Sequence, residues 1–220
     1  MPSEAVENYL KAVHTLCRES PSGDAAMSKI AALVGVTTGT ATTMIKRLAA
    51  TKMVRYERFG GVTLTAAGQK IALDILRRHR LIETFLVQAL KLDWSVVHAE
   101  AERLEHAVSP RVLDALDAML GRPAFDPHGD PIPQPGDKHE AVRGRPLDEC
   151  AAGQHLTIAR ITDENEQFLN FIARAGLRPG VRVVVTSVDP DAQSVTVQGP
   201  GEAPVTLALS AARKVWAESA

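Results

Sequence analysis

Residues 27–50 read MSKIAALVGVTTGTATTMIKRLAA, and this stretch predicts the fold of the N-terminal part of the chain. Met27–Val34 has the pattern of a short helix that ends near Gly35. Val36–Gly39 is typical of a tight turn, and Thr40–Ala50 again has helical spacing. Two short helices joined by a glycine-containing turn indicate a helix-turn-helix.

The segments on either side of this stretch complete a small DNA-binding fold. Residues 4–19 carry apolar side chains at helical spacing. Met53–Glu57 and Val62–Thr65 alternate as two strands around a glycine-containing turn, which predicts a β-hairpin. Thr65 is a suitable N-cap for the long helix that follows. The pattern as a whole predicts a winged helix-turn-helix.

Local charge supports a DNA contact, although the whole chain of 220 residues has a formal net charge of only −1. Residues 46–80 contain nine Lys and Arg residues against two acidic ones, and such a basic stripe is expected where a protein meets DNA.

The start of the second helix of a helix-turn-helix enters the major groove. Threonines occupy that position here; their hydroxyls contact phosphates and their methyl groups pack on thymine methyls. Cationic side chains further along the helix and in the wing are the expected phosphate contacts. The candidate DNA-binding residues are Thr37, Thr38, Thr40, Thr42, Thr43, Lys46, Arg47 and Arg58.

Two later helical segments carry metal-ligand side chains on shared faces. His79 and Glu83 are four residues apart and therefore point the same way. A second helix, expected from Asp93 or Trp94 to about Val108, presents another such set. Its members are His98, Glu102, Glu105 and His106. Imidazole and carboxylate groups suit first-row divalent metals.

Spacing divides these side chains into two clusters. His106 groups with Glu102 and Glu105, and Asn8 on the first helix could add an oxygen ligand to them. His98 lies two turns earlier and is grouped with the pair on the preceding helix. A solvated, charged helix face is the alternative interpretation of the same pattern.

The remainder of the chain predicts a third helix, a linker and a small β domain. A helix is expected from Pro110 to about Gly121, and residues 123–149 are rich in proline and glycine, as in a tether. Short strand patterns from His155 onward, with one helix between the first two strands, predict a small barrel. The predicted strands are Leu156–Ile161, Val181–Val188, Ser194–Val197 and Val205–Leu209. We therefore expect domains at 1–72, 73–140 and 150–220, in a mainly α chain with a winged helix-turn-helix and a small C-terminal β-barrel.

Composition predicts a chain without membrane spans or disulfides. No apolar run approaches the length of a transmembrane helix, and the acidic N-terminus is unlike a signal peptide. Cys17 and Cys150 are far apart and form no metal motif. These features lead us to expect a cytoplasmic protein.

The chain resembles the diphtheria-toxin-repressor family of iron- and manganese-dependent transcriptional regulators. The similarity runs from the winged helix through the ligand helices to the β domain. The segments that carry it are Leu64–Gly68, Arg78–Glu83, His98–Ala101, Glu105-His106 and Gly129–Pro133. The resemblance implies a homodimer that binds a pseudo-palindromic double-stranded DNA operator when loaded with metal and represses metal-uptake genes. It also implies that residues 150–220 form a small SH3-like barrel.

The resemblance also implies two metal sites per subunit. The ancillary site corresponds to His79, Glu83 and His98, completed by Glu164 and Gln167 from the β domain. The primary site corresponds to Asn8, Glu102, Glu105 and His106. Iron-type members place Met and Cys at the positions of Asn8 and Glu102, whereas manganese-type members place Asp and Glu there. Lys11 stands where short manganese-type members use a glutamate.

Ligands without sulfur favour hard Mn²⁺, with Fe²⁺ as the alternative ion. Two other functions stay open at this level. One is a dinuclear metallohydrolase with an appended winged helix, which would need metals about 3.5–4 Å apart. The other is a winged-helix regulator of an organic ligand. We expect no enzymatic activity.

Overall fold

The computed structural model describes residues 2–57, 60–137 and 144–220 and divides into two compact units. The first unit runs to Arg78 and includes the stretch that starts at Pro133; the second comprises His79–Ile132 and the C-terminal part of the chain. Among the described residues, no helix is both long enough and apolar enough to cross a membrane. Arg58 and residues 138–143 of the predicted tether lie outside the described residues.

The first unit is a winged helix-turn-helix, as predicted. Its core is formed by buried side chains from all three short helices, among them Leu10, Ile30 and Ile45. The wing is an antiparallel pair in which Val54 lies opposite Leu64. The elements are α1 (Glu4–Glu19), α2 (Met27–Val34), α3 (Thr38–Ala50), β1 (Val54–Tyr56), β2 (Val62–Leu64) and the beginning of α4 (Ala66–Gln88).

Two caps fix the turn between α2 and α3. Gly35 ends α2 in the left-handed conformation, with φ +73°, which glycine adopts without a steric cost. Thr37 precedes α3, and its hydroxyl accepts a hydrogen bond from the Thr40 backbone N–H at 3.2 Å. Helix α3 therefore begins two residues earlier than the spacing alone predicts.

The second unit begins with three helices. These are the remainder of α4, α5 (Val97–Leu104) and α6 (Pro110–Met119). Helix α5 is shorter than predicted at both ends. At its start the Asp93 carboxylate accepts hydrogen bonds from the backbone N–H and the hydroxyl of Ser95, a local arrangement that competes with helix formation. At its end, residues 105–107 form a turn before Ser109 caps α6.

The C-terminal part of the second unit is an antiparallel sheet with the order β3-β8-β4-β5-β6-β7. Its core includes the buried side chains of Leu156, Val185 and Val197. The elements are β3 (Arg145–Pro146), β4 (His155–Ile161), α7 (Glu166–Arg174), β5 (Arg182–Asp189), β6 (Ser194–Gln198), β7 (Val205–Ala208), α8 (Leu209–Ala212) and β8 (Val215–Ser219). The predicted combination of a helix-rich N-terminal part with a small C-terminal β domain is confirmed.

The segment before the C-terminal sheet is more ordered than its prolines suggest. Residues 124–132 form a tight loop in which Asp126 accepts hydrogen bonds from the backbone N–H groups of His128 and Asp130. The His128 carbonyl accepts a hydrogen bond from the Ile161 N–H at 2.8 Å. The Asp126 carboxylate satisfies backbone N–H groups within the loop. The hydrogen bond from Ile161 holds the loop against β4.

Candidate metal centre and DNA-reading helix

Helix α4 carries the first pair of candidate ligands on one buried face. His79 is 3% exposed and Glu83 is fully buried. The one-turn spacing brings His79 Nε2 to 2.9 Å from Glu83 Oε1. Buried polar side chains need partners, so this pair requires further polar groups around it.

Two more side chains join this pair from other elements. His98 on α5 places Nδ1 at 3.1 Å from His79 Nε2 and at 3.4 Å from Glu83 Oε1. Glu164, in the segment after β4, places Oε2 at 2.9 Å from His98 Nδ1. The ligand atoms of all four side chains lie within 4.8 Å of one another. We refer to His79, Glu83, His98 and Glu164 as group A.

The opposite edge of the His79 ring contacts the residues at the end of α5. Nδ1 of His79 lies 2.5 Å from Glu105 Oε2 and 3.8 Å from Glu102 Oε1. Glu105 is fully buried, and its Oε1 lies 3.5 Å from His106 Nε2. We refer to Glu102, Glu105 and His106 as group B. Spacing separated the two clusters, whereas in the structure a single imidazole contacts both.

A third set of buried polar side chains lies on the far side of Glu83, and the sequence analysis did not single it out. Nδ1 of His128 is 3.7 Å from Glu83 Oε2, and Nε2 of the same ring lies 2.9 Å from the Trp94 carbonyl oxygen. Asp126 completes the set. Both residues fall in the proline- and glycine-rich segment, where polar side chains are usually solvated. The run Asp126–Asp130, with three ionisable residues in five, was the available signal.

Electrostatics keeps the carboxylates of group A ionised. Burial raises the pKa of Glu83, but the charge of His79 and the contacts with His128 and His98 outweigh it, and the pKa lies well below its usual value. For Glu164, burial likewise raises the pKa, while the hydrogen bond and charge of His98 lower it to about 2. Both carboxylates are therefore ionised at neutral pH, opposite the charged imidazoles that lower their pKa values.

The same pairing acts on the imidazoles in the opposite direction. Burial lowers the pKa of His98, but the Glu164 and Glu83 carboxylates raise it to about 10. For His128, burial is again outweighed by Glu83, and the pKa is raised to about 9. A metal must displace protons from imidazoles before binding them, so metal binding here is coupled to proton release.

The donor set fits a first-row divalent ion. It consists of imidazole nitrogens and carboxylate oxygens without thiolates, which suits Mn²⁺ and Fe²⁺. Glu83 Oε2 and His128 Nδ1 are buried and have no hydrogen-bond partner among the described residues. Such unsatisfied buried atoms are rare in folded proteins and call for a bound species or water.

The other candidate site is the outer face of α3. Ala41, Ile45 and Leu48 are buried against the core of the first unit, so the remaining side chains face outward. The hydroxyls of Thr42 and Thr43 donate to the carbonyls of Thr38 and Gly39, at 2.7 and 3.1 Å. Thr43 is exposed, whereas Thr42 is partly buried. The exposed predicted residues of this helix and its cap are Thr37, Thr38, Thr40, Thr43, Lys46 and Arg47.

Comparison with known proteins shows which family the chain belongs to. The family model for the iron dependent repressor metal binding and dimerisation domain matches residues 65–134, and the FeoA domain model matches residues 145–219. The iron-dependent repressor IdeR of Mycobacterium tuberculosis is 30% identical over 230 residues, covering 98% of this chain and 97% of that protein.

The chain belongs to the diphtheria-toxin-repressor family.

Solved structures agree with this assignment. A manganese-dependent transcriptional repressor in complex with manganese has a TM-score of 0.90 at 38% identity, covering 98% of this chain and all of the other. The structure of ScaR with bound Cd²⁺ has a TM-score of 0.84 at 30% identity and covers both chains completely. The SH3-like C-terminal domain expected from the resemblance corresponds to the FeoA match.

The family resemblance implies two further ligands, Asn8 and Gln167. Asn8 is on α1 in the first unit, and its Oδ1 is buried without a hydrogen-bond partner among the described residues. Gln167 lies in the first turn of α7, is exposed, and lines an open groove with Asn170 and Arg174. The ligand roles of Asn8 and Gln167 remain predictions.

Proposed function

We propose that this chain is a metal-dependent DNA-binding transcriptional repressor of metal-uptake genes. The observation that carries the proposal is the convergence of His79, Glu83, His98 and Glu164 from three separate parts of the chain. The same chain carries a helix-turn-helix whose second helix exposes threonine, lysine and arginine. Metal ligands and a DNA-reading helix in one chain are what a metal-sensing regulator requires.

We propose two metal sites per subunit, with Mn²⁺ favoured and Fe²⁺ as the second choice. Group A, with Gln167, is the ancillary site, and group B, with Asn8, is the primary site. Oxygen and imidazole ligands favour these ions, and relatives in the family include iron-dependent and manganese-dependent repressors. Because Glu105 accepts a hydrogen bond from His79, a metal held by Glu105 competes with that bond.

The proposed partners are a second copy of the chain and a pseudo-palindromic operator. Within the second unit, large apolar side chains are exposed near the ends of the helices, including Leu104, Val112 and Met119 at 41%, 50% and 58%. Large apolar side chains exposed on helices can pack against a second copy of the chain, since homodimer interfaces are enriched in apolar surface. A two-fold dimer reads two half-sites one helical turn or a multiple of it apart. As a DNA-binding regulator it would act in the cytoplasm.

The domain division we propose is a reading domain at 1–72, a metal-binding and dimerisation domain at 73–140 and an SH3-like domain at 150–220. The reading heads supply operator contacts, and the metal supplies the differential binding energy for the DNA-competent arrangement. A ligand shifts a conformational equilibrium only by such a difference. The named relatives are repressors, which does not favour the metallohydrolase or the organic-ligand regulator.

Metal-dependent DNA binding tests the proposal. A duplex would be selected from a random library with the Mn²⁺-loaded protein, and its affinity then measured with Mn²⁺, Fe²⁺, Co²⁺, Zn²⁺ and with EDTA. We expect tight binding only with metal, and its loss in Glu102→Ala and His106→Ala variants that still fold. Equal DNA affinity in EDTA and in Mn²⁺ would contradict the proposal. Hydrolysis of a phosphate ester or a peptide by the Mn²⁺-loaded protein would favour the metallohydrolase.

A further inference from the structure

The loop at 126–132 connects the metal-binding helix to the C-terminal sheet through one carboxylate. Asp130 is 5% exposed. Its Oδ1 lies 2.7 Å from Arg160 Nη2 on β4 and 3.5 Å from Arg80 Nη2 on α4. Arg80 is next to His79 in sequence and also donates from Nη1 to the Pro131 carbonyl at 2.7 Å. Asp130 thus joins cations from two elements, and Asp126 Oδ2 in the same loop also lies 3.6 Å from Arg80 Nε.

The loop is seated directly on the backbone of β4. Gly129 has φ +88°, and a Cβ there would lie 2.0 Å from the Ala159 carbonyl oxygen, so only glycine fits. The register of β4 against β8 shifts between Ile158 and Arg160, and such bulges redirect side chains. The Arg160 guanidinium lies over the Trp216 ring, 5.5 Å from its centroid.

The same strand leads into a ligand of group A. Ile161, the last residue of β4, donates its N–H to the His128 carbonyl. Beyond it the chain is fixed by hydrogen bonds from the Thr162 N–H to the Lys214 carbonyl and from Lys214 Nζ to Asp163. Glu164 follows immediately and reaches His98. The position of Glu164 therefore depends on where β4 is held.

We propose that Asp130 is a positioning residue that holds Glu164 at group A by joining Arg80 and Arg160. This inference rests on the proposed role of group A as a metal site. Residues that orient metal ligands typically change metal affinity by 10- to 100-fold when they are replaced. Asp130 contacts Arg160 on the strand that leads to Glu164, so we expect its effect on the metal to pass through Glu164.

Mn²⁺ titration of the full chain tests this in a His106→Ala background, which retains all four group A side chains. We expect Asp130→Asn and Arg160→Gln each to weaken Mn²⁺ binding by roughly tenfold, and Glu164→Gln to weaken it at least as much. Adding Asp130→Asn to Glu164→Gln should change affinity by less than about twofold, because coupled residues are not additive. Exposed Asp191→Asn, in the turn between β5 and β6, is the matched control.

Hydrogen exchange in EDTA gives a readout independent of metal. The Ile161 amide should exchange at least about tenfold faster in Asp130→Asn, while the Val185 amide, in β5, should not change. If Asp130→Asn fails to fold, Arg160→Gln carries both measurements, since its side chain is partly exposed.

The possible outcomes separate the inference from the function. Wild-type affinity in Asp130→Asn together with weak binding in Glu164→Gln overturns the inference and leaves the function intact. In another outcome, Asp130→Asn weakens Mn²⁺ binding as much in the Glu164→Gln background as it does without that change. That result overturns the inference too, because Asp130 then supports the fold in general and does not act through Glu164. Wild-type affinity in Glu164→Gln contradicts the proposed ligand role itself and overturns the inference with it.

Discussion

At the scale of single residues, His79 is the centre of the candidate site. Its Nε2 contacts Glu83 and His98, and its Nδ1 contacts Glu105. Helical spacing was sufficient to place His79 with Glu83, because residues four apart on a helix are neighbours. Spacing could not show that the other ring nitrogen reaches a different helix. That contact depends on how two helices pack, which no local pattern encodes.

Replacing His79 should therefore weaken Mn²⁺ binding at both group A and group B. We expect His79→Ala to weaken both phases of a Mn²⁺ titration, whereas His98→Ala should weaken only one, since His98 contacts Glu83 and Glu164 more closely than Glu102. Calorimetry on the EDTA-stripped protein measures both phases, with His155→Ala on β4 as control. Two unchanged phases in His79→Ala would contradict a shared role.

At the scale of elements, helices were easier to predict than the partners of the strands. α1 and α2 follow from apolar periodicity and capping residues, which are local signals. β8 was missed: it pairs with β4, so that Val215 lies opposite Ile161. A five-residue strand far along the chain from its partner has little local signal. The loop at 126–132 was interpreted as a tether because proline and glycine content does not show which backbone groups are satisfied.

Gly68 shows how a contact between elements overrides helix propensity. It lies in the first turn of α4, where alanine would ordinarily be favoured by about 1 kcal/mol. A Cβ at this position would lie 2.1 Å from the Met53 carbonyl oxygen, because the helix begins directly against the end of the α3–β1 connection. We expect Gly68→Ala to destabilise the protein by about 1–3 kcal/mol. Urea unfolding measures this, with Gly39→Ala, whose Cβ would have space, as the control; a stabilised Gly68→Ala variant would refute the steric argument.

At the scale of the whole molecule, the order of elements and the fold class were predictable, and the candidate site was predictable in part. Group A was assembled from helical spacing for three members and from family resemblance for Glu164. Asp126 and His128 were not identified, because their role depends on a loop packing against α4 and β4. The groups of charged residues buried in the second unit also make its stability depend on pH.

The Glu164–His98 pair sets both limits of that dependence in EDTA. The pKa of Glu164 is lowered to about 2, so its contribution is present above its ordinary pKa near 4.5 and is lost as pH falls toward 2. The pKa of His98 is raised to about 10, so its contribution is present below about 6.5 and is lost as pH rises toward 10. We expect Glu164→Gln to flatten both limbs of the unfolding free energy against pH, measured with urea. A curve parallel to wild type would show that this pair does not control stability.

Dimeric operator binding should appear in the salt dependence. Each phosphate contact contributes a slope of about 0.9 to the plot of log affinity against log salt concentration. A dimer presents Lys46 twice, so Lys46→Ala should reduce the slope by about 1.8, whereas a monomer would lose only about 0.9. Lys46 is exposed on α3 beyond the threonines predicted to contact bases, so sequence preference should change little. Arg182→Ala, on β5, serves as the control cation, and the measurement is fluorescence anisotropy on the selected duplex with Mn²⁺ in excess.

A slope equal to that of wild type would remove Lys46 from the phosphate contacts, and a change near 0.9 would contradict symmetric binding by two reading heads.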